Sequence, residues 1–166
     1  MQKKLVEALA TGFYLGRAPF APGTFGTLLG IPLAYLLSRG SPFHYMLATV
    51  VILLLAVAVS ELHEQWSGQH DPGEIVIDEV VGYLVAFTWL PITWQAFLGA
   101  FLAFRLFDIL KPFPINIMDK RIRGGLGTVL DDVAAGLLAN LLLQLLYTHT
   151  TLLGEQLHAG ISQTGF

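Results

Sequence analysis

The chain has 166 residues, is 54% hydrophobic and only 13% charged, and carries a formal net charge of -3 with a mean hydropathy of +0.64. That balance lies well away from a soluble domain's and makes a membrane protein the default, while the modest charge and the lack of a basic patch with interleaved aromatics exclude nucleic acid as a partner. With no cysteine, disulfides, thiolate metal sites and a cysteine nucleophile are excluded together.

Residues 1–16 open with Lys3 and Lys4 and a short apolar patch broken by Glu7. The apolar part is too short for a convincing signal peptide and reads as a retained helix at the membrane surface. Next comes GRAPFAPGTFGT at 16–27, in which Pro19 and Pro22 stiffen the backbone, Gly23 and Gly26 permit close approach, and Thr24 and Thr27 supply hydroxyls. The stretch reads either as an anion site at a helix start or as a capped turn, and Arg17 is ambiguous in the same way. Residues 28–38 and 43–60 then form a helical hairpin turned by SRGSP, with His44 a bland interfacial residue.

A polar island, ELHEQWSGQHDPGEIVIDE, covers 61–79. His63 and Glu64 read as a solvated helix end, Asp71-Pro72-Gly73 as a turn, and Glu74 as the start of a helix that carries Asp78 and Glu79. In the apolar stretch 80–104, Pro91 lies between Trp89 and Trp94. Tryptophan favours the headgroup zone, so the turn sits at an interface and two arms of about 17 residues, or roughly 25 Å, flank it. Arg105, Asp108 and Lys111 follow at spacings of three and share a helix face, which Pro112 and Pro114 end, so a loop must follow. Asp119, Lys120, Arg121 and Arg123 lead into Gly124, Gly125 and Gly127, a turn able to aim backbone amides at an anion. Asp131 and Asp132 open the last helix, 128 to about 150, and residues 154–166 form a loose tail. Adjacent carboxylates at a helix start suit the helix dipole, are hard oxygen ligands, and are costly against hydrocarbon unless paired, wetted or metal-bound.

Counted between charged side chains, the uncharged stretches 18–38, 40–60, 80–104 and 133–154 each approach the roughly 20 residues of a spanning helix. The expected fold is therefore all-α: one small polytopic membrane bundle of about four to five spans plus the N-terminal surface helix. Lys and Arg are in excess over 105–123, which places both polar islands on the cytoplasmic side.

Four segments, GRAPFAPGTFGT at 16–27, IVIDEVVG at 75–82, FRLFDILKPFPI at 104–115 and GGLGTVLDDVAAG at 124–136, together resemble the phosphatidylglycerophosphatase A family. The resemblance covers nearly the whole chain. It implies a magnesium-dependent enzyme of the bacterial inner membrane that removes the terminal phosphate of phosphatidylglycerophosphate to leave phosphatidylglycerol. It points to Asp78, Glu79, Arg105, Asp108, Lys111, Asp131 and Asp132, with Thr24 in the proline-glycine loop; Arg17 and Glu74 fall outside the family pattern.

Elimination among the residues leads to the same chemistry. A phosphomonoester needs its charge neutralised and an activated nucleophile. The chain offers no cysteine, no aspartyl-nucleophile motif and no histidine set, only clustered carboxylates. Asp78, Glu79, Asp108, Asp131 and Asp132 are accordingly expected to share one or two Mg²⁺ ions that bind the phosphate and acidify the attacking water. Arg105 and Lys111 would hold phosphate oxygens, with Thr24 and the amides of Gly124, Gly125 and Gly127 completing the cradle. Two alternatives stand beside this reading: a small carboxylate-based membrane transporter, whose acids should lie mid-span, and a helical phosphohydrolase acting on another phosphate ester.

Overall fold

Proline, glycine and serine set the helix boundaries. Pro22 lies in the first turn of α2 (Pro22–Ser38), and Ser41 caps α3 (Pro42–Ser67) by accepting the His44 N–H, with Pro42 just inside. Gly68, in the left-handed conformation, closes α3. Thr93 caps α5 (Trp94–Leu110) through the Ala96 N–H. The structure, a computed structural model, describes residues 2–154 and 156. Among these residues it is all-helical and contains no strand; α1 (Gln2–Ala10), α4 (Ile77–Phe87), α6 (Ile115–Arg121), α7 (Gly125–His149) and a short 3-10 turn at Leu15–Arg17 complete it. The expected loose tail at 154–166 lies, apart from its first residue and Gln156, outside the described residues.

The whole molecule is arranged around α4. Only Glu79 and Val85 of its eleven residues escape full burial, because α2, α3, α5 and α7 all pack against it. Tyr83, Leu84 and Phe87 anchor one core with Phe104, Ala100 and Leu143, and Val81 joins a second with Val59 and Val129. The crossing with α7 is close because both helices lack a side chain there. A β-carbon on Gly136 would fall 2.4 Å from the Gly82 carbonyl oxygen, and one on Gly82 would fall 2.4 Å from the Phe104 ring and 2.9 Å from the Asp132 carbonyl oxygen. Glycine at both positions is a packing requirement.

The C-terminal end of α4 lies inside the bundle, where its last carbonyls need partners. Tyr45 donates its hydroxyl to the Leu84 oxygen at 2.7 Å, Asn140 donates to the oxygens of Ala86 and Thr88 at 3.0 and 2.8 Å, and Gln144 reaches the Thr88 oxygen at 3.0 Å. A short buried helix is thereby satisfied by side chains from its neighbours.

Several boundaries differ from the sequence expectation. α3 runs on to Ser67, so His63 and Glu64 are buried rather than solvated. α4 starts at Ile77, not Glu74, and its eleven residues rise only about 16 Å, short of a roughly 30 Å hydrocarbon core. Beyond Pro114 the chain forms α6 where a loop was expected. α7 begins at Gly125, so Asp131 and Asp132 stand in its second turn and not at its positive end. The glycines enter the helix because tertiary packing overrides their poor propensity: a β-carbon on Gly125 would fall 2.3 Å from the Glu61 nitrogen and 2.4 Å from the Val57 oxygen of α3.

Two described helices, α3 and α7, are long and apolar enough to cross a membrane, against the four to five spans expected. Their outward faces are apolar: Leu47, Val51 and Leu54 on α3 and Leu137, Leu141 and Leu145 on α7 are all exposed.

Candidate active site

The acidic segments meet in one cleft of about 380 Å³. The first turn of α4 contributes Asp78 and Glu79, α5 contributes Arg105 and Asp108, Lys111 comes from the residue that ends α5, and α7 contributes Thr128, Asp131 and Asp132. Asp71 and Gly73 close it from the loop before α4, and Ala21, Pro22 and Gly23 from the start of α2. A side chain at position 23 would displace the site itself, since a β-carbon there would lie 2.1 Å from Glu79 Oε1 and 2.9 Å from Arg105 Nη1.

Of the five carboxylates expected to act together, three form a tight group. Asp78, Glu79 and Asp132 each offer an oxygen within 4.8 Å of the others, with Asp78 and Asp132 buried. Helical spacing explains the convergence: Asp78 and Asp132 each stand one turn before a glycine of the α4–α7 crossing, at Gly82 and Gly136. The other two have cationic partners. Asp108 accepts from Arg105 Nη1 at 2.5 Å, and Asp131 accepts from Lys111 Nζ at 2.7 Å, with Asp119 on the same ammonium at 2.5 Å. Arg105 lies 3.9 Å from Glu79 Oε1.

The three clustered acids are short of positive charge. Two unit charges 4.8 Å apart repel by about 3 kcal/mol at an effective dielectric constant near 20, and only Glu79 of the three has a cationic side chain within 4 Å. Glu79 Oε2, Arg105 Nε and Asp131 Oδ1 are buried without a hydrogen-bond partner. An all-oxygen donor set with an orphaned carboxylate oxygen fits a hard divalent cation, and a buried guanidinium N–H with no acceptor fits an anion beside it.

Charges outside the helices are tuned by the same crowding. Burial, reinforced by the Asp131 charge, pushes Asp71 above the ordinary carboxylate value. Burial pulls Lys111 down, but its bonds to Asp119 and Asp131 outweigh that and hold it above the ordinary lysine value. Lys111 has φ 40°, a left-handed conformation unusual for a residue with a β-carbon, and its two carboxylate partners fix it there.

Several sequence-predicted residues stand elsewhere. Thr24 is not among the cleft-lining residues; its N–H caps back to the Ala21 oxygen. Gly124 and Gly125 do not line the cleft either, and the Gly125 N–H donates to Glu61 Oε2 at 2.7 Å, so a carboxylate of α3 already occupies the anion position at the start of α7. Gly127 borders an adjoining recess shared with His70, Asp71 and Asp119. Arg17 and Glu74 form a separate bracket: Arg17 contacts Glu7 and, at 3.1 Å, Glu74, which lies 2.9 Å from His63. The Val76 N–H donates to the Ala10 oxygen, tying this bracket to the start of α4.

Sequence reasoning missed Asp71, Asp119 and Thr128 as neighbours of the site. Asp71 carried a signal, because a turn seven residues before an acidic pair can fold back upon it. Thr128 and Glu64, joined by a 2.5 Å hydrogen bond across 64 residues, carried none.

Residues 8–147 match the family model described as phosphatidylglycerophosphatase A. A phosphatidylglycerophosphatase A of Haemophilus influenzae is 40% identical over 136 residues, 81% of this chain and 83% of that protein. One from Escherichia coli is 36% identical over 79% of this chain and 77% of its own. A Bacteroides thetaiotaomicron protein, named provisionally as a phosphatidylinositol-3-phosphatase, is 36% identical over 81% of this chain and 89% of its own. No solved structure matches the chain.

Proposed function

The chain belongs to the phosphatidylglycerophosphatase A family, and on that premise we propose that it hydrolyses the terminal phosphomonoester of phosphatidylglycerophosphate, giving phosphatidylglycerol and inorganic phosphate. The observation that carries the reading is the meeting of Asp78, Glu79, Asp132, Arg105 and Lys111, drawn from three helices and a helix end, in a single cleft. Asp78, Glu79 and Asp132 are the residues to hold Mg²⁺, which when bound supplies positive charge to the phosphate and acidifies water. Arg105, with its free Nε, clasps phosphate oxygens, and Asp108 fixes the guanidinium from the other side. Lys111 adds a second positive charge while orienting Asp131, whose unpartnered Oδ1 is free to accept a proton from water. Thr24 lies off the cleft, and the N–H groups of Gly125 and Gly127 already donate to Glu61 and the Gly124 oxygen, so this reading leaves them out of the phosphate cradle.

In this reading the chain is a multi-pass protein of the bacterial inner membrane with the cleft on the cytoplasmic side, α3 and α7 crossing and the α4–α5 hairpin packed between them, its Pro91 turn toward the opposite face beside the start of α3. Acids gathered at one end of the bundle favour headgroup chemistry over a transport path, which would place them mid-span. Phosphate release from purified protein decides the matter, measured on phosphatidylglycerophosphate, phosphatidylinositol 3-phosphate and soluble phosphomonoesters, with Mg²⁺ and with EDTA. Hydrolysis of the first substrate only with Mg²⁺ is expected. Full activity in excess EDTA, or none on any lipid, refutes the reading.

A further inference from the structure

We propose that the exposed apolar stripe of α5, Leu98, Leu102, Leu106 and Ile109, is a track on which the acyl chains of the substrate lipid lie, and that the lipid enters the cleft sideways between the start of α2 and the end of α5. The inference rests on the phospholipid reading above. A phosphomonoester carried on a two-chain lipid must leave its hydrocarbon outside the charged cleft, so the exit must be where the lining is apolar and open. Ala21, Pro22 and Ile109 form that edge; the remaining apolar lining residue, Ile75, is buried. The other sides bear carboxylates, Arg105, Lys111 and Thr128.

Ile109 lies one turn beyond Arg105 and is 69% exposed, so the same helix face that holds the phosphate ligand continues outward as hydrocarbon. Behind it, Leu106, Leu102 and Leu98 follow at spacings of three and four and are 50%, 58% and 47% exposed, while the opposite face of α5 buries Ala96, Ala100, Ala103 and Phe104. From Leu98 to Ile109 the helix rises about 16 Å, close to half of a roughly 30 Å hydrocarbon core, so the stripe spans one leaflet and ends where a headgroup begins. Phe20 and Phe113, each at least 70% exposed, stand on the segments flanking the mouth.

The test compares kcat/KM on phosphatidylglycerophosphate bearing eighteen-carbon chains with that on the same headgroup bearing four-carbon chains, for wild type, Leu102→Gln with Leu106→Gln, and Leu141→Gln on the exposed face of α7. The long-to-short ratio cancels differences in folded fraction. The α5 pair is expected to lower it about tenfold, from lost apolar contact, and Leu141→Gln to leave it at the wild-type value. A wild-type ratio in the α5 pair, or an equal fall in Leu141→Gln, overturns the track while leaving the phosphatase reading intact. If wild type cleaves neither lipid, the phosphatase reading falls and takes the track with it.

Discussion

Asp132 and Asp131 are neighbours in sequence with different surroundings, and the difference makes separate predictions. Asp132 belongs to the close carboxylate group and has no cation beside it, whereas Asp131 is held by Lys111. Asp132→Asn and Asp78→Asn should each lower kcat by about a thousandfold with folding preserved, because the amide keeps the shape but removes the charge proposed to hold the ion. Steady-state turnover with circular dichroism checks this, and wild-type turnover in both variants would refute the metal site. Arg105→Lys should cost about a hundredfold in kcat/KM, since lysine keeps the charge but loses the fork that reaches Asp108 and, in the proposed site, the phosphate at once. A loss below threefold would mean that Arg105 merely balances Asp108. The acids and cations of the cleft were legible in the sequence because charge is scarce and costly in so apolar a chain. Their division into a triad and two ion pairs was not, since it depends on which turn of α7 faces α4.

Helix ends carry the next set of consequences. The Ala86 carbonyl depends on Asn140, which shares the Thr88 carbonyl with Gln144, so Asn140→Leu should destabilise the bundle by about 1–3 kcal/mol, the cost of stranding a buried acceptor, seen as a lower Tm in detergent. Glu74 ties the loop before α4 to Arg17 and His63. Burial pushes this carboxyl up, but its bonds to His63 and Arg17 outweigh that and leave it below the ordinary value of 4.5. A depressed folded pKa contributes stability that is present above about 4.5 and lost as pH falls through the lower folded value. The Tm difference between wild type and Glu74→Gln should therefore shrink below about pH 4.5; a difference that grew on acidification below that value would contradict the bracket. The hairpin turn at 38–42, the turn around Pro91 and the stop at Lys111 were all readable from proline, glycine and tryptophan. The short span of α4, the existence of α6 and the early start of α7 were not, because a buried helix, unlike a spanning one, is measured by its neighbours rather than by its own hydropathy.

For the whole molecule, the arrangement fixes which loops share a side. Single cysteines at Ser67, Ile92 and Lys120, introduced into a chain that has none, test it with an impermeant maleimide on intact spheroplasts. Only Ile92→Cys should react before permeabilisation, and reaction of Lys120→Cys from outside would place the cleft on the wrong face. The glycine crossing sets a dimension of its own. Because Asp78 and Asp132 ride one turn from Gly82 and Gly136, the width between their carboxylates is inherited from how closely two backbones can approach. A methyl group on Gly136 would meet the Gly82 oxygen at 2.4 Å, and the helices must part to admit it. Every ligand would remain, around a wider hole. Gly136→Ala should therefore change the ranking of divalent ions, gaining turnover with calcium, which takes oxygens at about 2.3–2.6 Å, relative to magnesium at about 2.0–2.1 Å. If the carboxylates hold an ion as proposed, its preference is a matter of gauge, set in the helices by residues that carry no side chain at all.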